Sequence, residues 1–171
     1  MLNEKVAALL NDQIVKELYS AYLYLDFSNV YKEKGLDGFA NWYRIQAQEE
    51  RDHALLFFDY LHNNSEKVTL GAIDAPSVKL AELGDPLREG LKHEEYVTGL
   101  IHTIYAAAKE VNDFRTMQFL DWFVKEQGEE EKNANDLITK MELFGSDARS
   151  LYLLDQELGT RVYAAPSLVL D

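Results

Sequence analysis

Hydrophobic and polar positions along this chain fall into four long runs with a helical period. Leu10, Gln13, Glu17, Ala21 and Tyr24 lie three or four residues apart, the spacing of one helix face. Phe39, Trp42, Gln46, Glu50, His53, Phe57 and Tyr60 repeat that spacing, as do Leu87, Leu91, Glu94, Val97, Ile101, Ile104 and Ala108. The fourth run is Thr116, Leu120, Phe123, Gln127, Glu130, Ala134, Leu137 and Met141. These runs predict helices over about Asn3–Lys34, from Gly35-Leu36-Asp37-Gly38 to Asn63, over Pro86–Val111 and over Phe114–Phe144. The first pair and the last pair are joined by short turns, so each pair is antiparallel. Residues 64–85 hold Gly71, Pro76 and Gly84 and show no period. A helix of about 30 residues is roughly 45 Å long, and about twenty extended residues span roughly 60 Å. That segment can carry the chain from one end of a bundle to the other. Gly145-Ser146-Asp147 ends the fourth helix and starts a short fifth, over 147–159; Pro166 makes the tail, 160–171, extended. The predicted fold is all-α: one domain over 1–171, a four-helix bundle with one long crossover and a short fifth C-terminal helix.

Each of the four faces carries polar groups where apolar ones are expected: Glu17; Glu50 and His53; Glu94; Gln127 and Glu130. Their spacings repeat. Glu17 to Glu50 and Glu94 to Gln127 are both 33 residues, and Glu17 to His53 and Glu94 to Glu130 are both 36. A shift of 77 carries one half of the set onto the other and maps Leu36 onto Asp113. Within each hairpin the pair and the lone Glu are nearly equidistant from the turn, so all six converge on one level. An unpaired buried carboxylate costs several kcal/mol. Lys and Arg near these faces are few and offset, whereas two divalent ions would neutralise four carboxylates. Oxygen-rich ligation with one imidazole favours iron or manganese over tetrahedral zinc. Glu from two helices with Glu-x-x-His from two others is the di-iron bundle arrangement.

Composition narrows the classes further. Cysteine is absent, which excludes disulfides, thiolate zinc sites, iron–sulfur clusters and a cysteine nucleophile. A formal net charge of −13 argues against nucleic-acid binding and suits a protein that attracts cations. Met1-Leu2-Asn3-Glu4-Lys5 does not open a signal peptide, and the sequence holds no apolar stretch of membrane-spanning length. A soluble, cytoplasmic protein is expected.

The residues Glu17, Tyr24, Glu50-x-x-His53, Glu94 and Glu126-Gln127-Gly128-Glu129-Glu130-Glu131 resemble those of a non-haem, prokaryotic-type ferritin, and the resemblance covers nearly the whole chain. It implies a ferritin-like bundle that stores iron and acts as a ferroxidase, oxidising Fe2+ with O2 or H2O2. It implies that Glu17, Glu50 and His53 hold one iron, that Glu50 bridges, and that Glu94 and Glu130 hold the second with Gln127 nearby. Tyr24, seven residues after Glu17, matches a candidate electron donor of the family. Glu49, Glu126 and Glu129, with Glu130, resemble a third iron site on the cavity side. The resemblance further implies a homo-oligomeric shell of 24 subunits. By their composition, Leu168, Val169 and Leu170 are too apolar for a simple solvated end and are expected to pack on a neighbouring subunit or inside the shell. Haem is not expected, because Asp52 stands where haem-binding relatives carry methionine.

One departure bears on mechanism. Where a second Glu-x-x-His would complete the symmetry, the chain reads Gln127-x-x-Glu130. The second ion loses an anionic ligand and its nitrogen, so it should be held more weakly, as suits iron that is substrate. Two alternatives remain from the sequence: a rubrerythrin-like di-iron oxidase or peroxidase that retains its metals, and a metal-free interaction bundle. His62, His93 and His102 read as surface or satisfied histidines, and Trp122 as core.

Overall fold

A computed structural model describes residues 2–170; the two end positions of the expected 1–171 span, Met1 and Asp171, lie outside it. Five helices and no strand occur among the described residues: α1 (Glu4–Glu33), α2 (Asp37–Asn63), α3 (Asp85–Glu110), α4 (Phe114–Phe144) and α5 (Ala148–Leu158). No helix among them is long and apolar enough to cross a membrane. The expected four-helix bundle with a short fifth helix is borne out.

The helix ends follow local chemistry. Asn3 caps α1 by accepting from Lys5 N at 3.0 Å, Asp113 caps α4 from Thr116 N at 3.1 Å, and Asp147 caps α5 from Ser150 N at 2.8 Å. Such caps satisfy amides that have no partner within their own helix. The α1–α2 and α3–α4 turns are the same structure. Gly35 and Asn112, which the 77-residue shift relates, both have positive φ, at 74° and 55°. Leu36 N donates to Tyr31 O at 3.0 Å, and Asp113 N to Ala108 O at 2.9 Å. Both are left-handed helix stops of the Schellman kind.

Contacts fix the topology. Tyr60 meets Thr116 while Gln46 meets Glu130, so α2 and α4 are antiparallel. Lys5 meets Glu110 while Tyr31 meets Leu83, so α1 and α3 are antiparallel too. With α1 and α2 a hairpin, α2 and α3 therefore run the same way, and residues 64–84 make the crossover. Asn11 pins that segment to α1 by exchanging two hydrogen bonds with Thr69.

The apolar core is divided in two. One cluster holds Leu10, Ile14, Phe57, Ile101, Leu120 and Phe123. The other holds Leu23, Phe27, Tyr31, Phe39, Leu87, Leu154 and Leu158. Between them along each helix lies a buried polar layer, flanked by the two clusters on both sides. Trp42, Leu91, Ala134 and Met141, read as core, are only half-buried.

Helix α5 docks through a contact that helical periodicity does not reveal. The α2 N-terminus has no side-chain cap of its own. Asp155, buried on α5, accepts from both Gly38 N and Phe39 N, at 2.8 and 3.0 Å. A Cβ on Gly38 would collide with the Asp155 carbonyl oxygen, so this approach requires glycine.

Candidate metal centre

The polar layer gathers all six expected inner residues in the interior. Glu17, Glu50, Glu94 and Glu130 are 1–7% exposed, and His53 and Gln127 are buried with them. Glu17, Glu50 and His53 each offer a ligand atom within 4.8 Å of the others. It is the single three-residue group of His, Asp or Glu at that spacing among the described residues. The Glu50–His53 spacing works as the helix predicts: His53 Nδ1 lies 3.3 Å from Glu50 Oε2.

Amides hold the carboxylates in place. Gln13 Nε2 donates to Glu17 Oε1 at 2.9 Å. Gln46 Nε2 donates to Glu130 Oε2 at 2.6 Å and reaches Glu50 Oε1 at 3.5 Å. Gln127 Nε2 donates to Glu94 Oε2 at 3.1 Å, and also to Glu94 O and Thr98 Oγ1. The Tyr24 hydroxyl donates to Glu94 Oε1. Tyr24 thus belongs to the Glu94 side of the layer, although in sequence it follows Glu17. Glu17 Oε2 is buried without a hydrogen-bond partner; only when protonated can it donate to the neighbouring Glu50 carboxyl.

Burial, followed by mutual repulsion, sets the protonation. Desolvation first and then Glu50 push Glu17 up to about 8. Desolvation and Glu50 do the same to Glu94, also to about 8. Desolvation and Glu94 push Glu130 up to about 8. Glu50 is raised by desolvation and then by Glu130. Four carboxyls that hold protons near neutrality, one oxygen without a donor, and an imidazole among them fit a divalent cation. Each ion entering the layer would replace protons and supply the missing positive charge.

The outer acidic residues lie differently. Glu49 is paired with Arg161, Nη2 to Oε2 at 2.5 Å. Glu129 is exposed and paired with Lys125 at 3.3 Å. Glu126 is half-buried and raised by desolvation. The structure does not draw Glu49, Glu126 and Glu129 into one ligand group. His93 is satisfied by Ser20 Oγ at 2.7 Å, and burial lowers it to about 4. His62 and His102 are exposed. Trp122 is half-buried, edge-on to His53 with ring centres 5.5 Å apart.

Periodicity does not signal the tail's position. The tail runs back over α2 and α4 of its own chain. Tyr163 reaches Asp52, Trp122 Nε1 donates to Ser167 Oγ at 2.9 Å, and Leu168 and Leu170 pack on the first core cluster. The apolar alternation at 168 and 170 covers the edge of that cluster, while Val169 between them is 78% exposed.

Residues 7–144 match the Ferritin-like domain family. A probable bacterial non-heme ferritin-like protein of Haemophilus influenzae is 35% identical over 159 residues, 93% of this chain and 96% of its own length. A bacterial non-heme ferritin of Campylobacter jejuni is 36% identical over 156 residues, 91% of this chain and 93% of its own. An open-pore ferritin of the hyperthermophilic archaeon Archaeoglobus fulgidus superposes with a TM-score of 0.92 at 40% identity, over 95% of this chain and all of that one. A closed form of that ferritin, engineered by site-directed mutagenesis, superposes with a TM-score of 0.93 at 40% identity over 96% of this chain and 100% of its own.

Proposed function

The chain belongs to the non-haem, prokaryotic-type ferritins, and on that premise we propose that it is an iron-storing ferroxidase whose di-iron site lies within one subunit. The observation that carries this reading is the buried layer: four carboxylates and an imidazole on four helices, three of them within ligand distance of one another. Iron is the substrate, two Fe2+ per turnover. Glu17, Glu50 and His53 hold the first ion, Glu50 bridges, and Glu94 and Glu130 hold the second, beside Gln127. Each ion gives one electron. O2 takes both with two protons and leaves as H2O2, or H2O2 takes them with two protons and leaves as two waters.

The chain's own groups prepare this step. The carboxyls release protons as ions enter, and their ionised forms stabilise the higher charge of Fe3+. Gln13 and Gln46 orient the carboxylates. Tyr24, bonded to Glu94, holds that carboxylate in place beside the second ion. The Gln127/Glu130 half offers the weaker grip, from which Fe3+ passes by way of Glu49, Glu126 and Glu129 to an acidic interior. The subunits form a homo-oligomeric shell, in keeping with the ferritin relatives, and we place their number at 24.

Aerobic Fe2+ addition followed by size-exclusion chromatography tests the reading. The protein should retain far more than two irons per chain in a large particle. Glu50→Ala or His53→Ala should abolish rapid oxidation yet leave the particle assembled. A small oligomer that saturates at two irons would instead favour a metal-retaining oxidase.

A further inference from the structure

The tail delivers a cation to the place assigned above to the third iron. The Arg161 guanidinium donates from Nη2 to Glu49 Oε2 at 2.5 Å, and from Nη1 to Gln46 Oε1 at 2.9 Å and Trp42 O at 3.3 Å. Its Cζ lies over the Trp42 ring, 4.1 Å from the ring centre. Its carbonyl accepts from Asn41 Nδ2 at 3.0 Å. The Arg161 and Glu49 side chains are both only 17% exposed. Exposed ion pairs hold loosely. This one has a planar donor fork, an aromatic ring beneath its Cζ and partial burial, the setting in which arginine is ordered rather than mobile.

Two consequences follow from the geometry. A divalent ion that takes Glu49 as a ligand cannot share that oxygen with a guanidinium 2.5 Å away, because two cations would then adjoin. The same guanidinium fixes the Gln46 amide. With Oε1 held by Arg161, Nε2 is directed at Glu130 and Glu50. Arg161 therefore touches the outer acidic group directly and the second-ion carboxylate through one amide. The tether is short. Helix α5 is anchored at Asp155, and the chain beyond Arg161 is strapped down at Tyr163 and Ser167. A guanidinium pushed aside stays close by and returns.

We propose that Arg161 is a tethered counter-ion that occupies the third cation position, excludes a resident third ion, and yields to iron leaving the buried centre. The proposal rests on the di-iron reading above. As a positioning residue, Arg161 acts on Glu130 through Gln46, and its displacement loosens the carboxylate that the departing ion must leave.

Zn2+ alone, which takes no part in redox chemistry, tests this in the assembled protein by equilibrium dialysis with metal analysis. The unmodified chain should hold two Zn2+ per subunit tightly and a third only weakly. Arg161→Gln should bind the third at least about tenfold more tightly, and adding Glu49→Gln to that variant should remove it again. A third-ion affinity unchanged in Arg161→Gln overturns the proposal, provided that His53→Ala still lowers the count below two. If His53→Ala leaves the count at two, the di-iron reading fails and takes this proposal with it. A second measurement does not depend on how well the arginine variant folds. In Trp122→Phe, Trp42 is the remaining tryptophan, and its fluorescence should shift as the third Zn2+ equivalent displaces the guanidinium lying over it. A third ion bound with no change in Trp42 emission also overturns displacement.

Discussion

At Glu17 one carboxylate oxygen has an amide and the other has nothing. Gln13 therefore sets which oxygen is free for an ion. Outer partners of this kind are worth about 10–100-fold in metal affinity, so Gln13→Leu should weaken the first Zn2+ by roughly that factor; an unchanged affinity by dialysis would show that helix packing alone orients Glu17. Protonation gives a second expectation. In the fold without metal, Glu17, Glu94 and Glu130 are raised from 4.5 to about 8. Between those values the native state binds more protons than the unfolded one, so stability falls as pH rises. His93, lowered from 6.5 to about 4, has the opposite slope, but its contribution is complete above its unfolded value. The clean window is therefore above pH 7. Metal-free protein should unfold in progressively less urea from pH 7 to about 8 and level off above, and Zn2+ should remove that slope; a rise in stability across the window would contradict the protonated layer. The six inner residues were legible because carboxylates interrupt apolar faces at repeating distances. The amides were present in the same runs, as Gln13 and Gln46, but a glutamine at a buried position does not tell which carboxylate it faces. Arg161 lay further out of reach, since its partner Glu49 is 112 residues away and no period connects them.

The helices were legible for a related reason: long apolar runs, glycine stops and Asp or Asn caps all agree on the same boundaries. The 77-residue echo extends to the turns, where Gly35 and Asn112 adopt the same left-handed stop. The contact that orients α5 could not be read. Asp155 is one acidic residue on an amphipathic helix, and only the fold brings it to the uncapped start of α2. Its removal leaves two α2 amides without an acceptor. A helix cap is worth about 0.5–2 kcal/mol, so Asp155→Ala should lower the urea stability of the metal-free protein by about that amount. Hydrogen exchange should quicken at Gly38 and Phe39, and unchanged protection there would mean that the α5 contact is incidental. The tail shows the same limit. Its apolar residues pointed to a partner surface, but composition does not distinguish a neighbour's surface from the chain's own core edge. Truncation after Gly159 removes Arg161, the Tyr163 and Ser167 contacts, and the cover on the first core cluster together. It should lower the thermal midpoint even where assembly persists, and an unchanged midpoint would show that the strap adds nothing to stability.

On the reading proposed above, assembly and iron chemistry fall on different sides of the same helix. On the outer face of α1 and α2, Tyr22 and Leu25 are each 51% exposed and Leu55 is 48% exposed. Tyr22 and Leu25, with Leu18, Ala21, Ala47, Gln48 and Ile73, line a shallow apolar hollow flanked by Arg44 and Arg51, and Leu55 lies one helical turn beyond Arg51. Large apolar side chains clustered at helical spacing on one face mark a protein contact. In a chain of net charge −13, which repels its own copies at long range, such a patch is where association must gain. Trp42, Gln46, Glu49 and His53 lie on the other side of α2, toward α4 and the tail. A subunit joined to its neighbour through the first face leaves the second free to open on an interior. The two functions should therefore separate. Leu25→Glu with Leu55→Glu places two more carboxylates on the contact face, and in a symmetric pair each would be met by its copies. Size-exclusion chromatography should then show a small species in place of the large particle, with helicity retained. That species should still hold two Zn2+ per chain, because all six inner residues come from one subunit. An unchanged particle would exclude this face as a subunit contact. A small species that had lost its Zn2+ would show that the buried layer needs the neighbouring subunit to hold its shape.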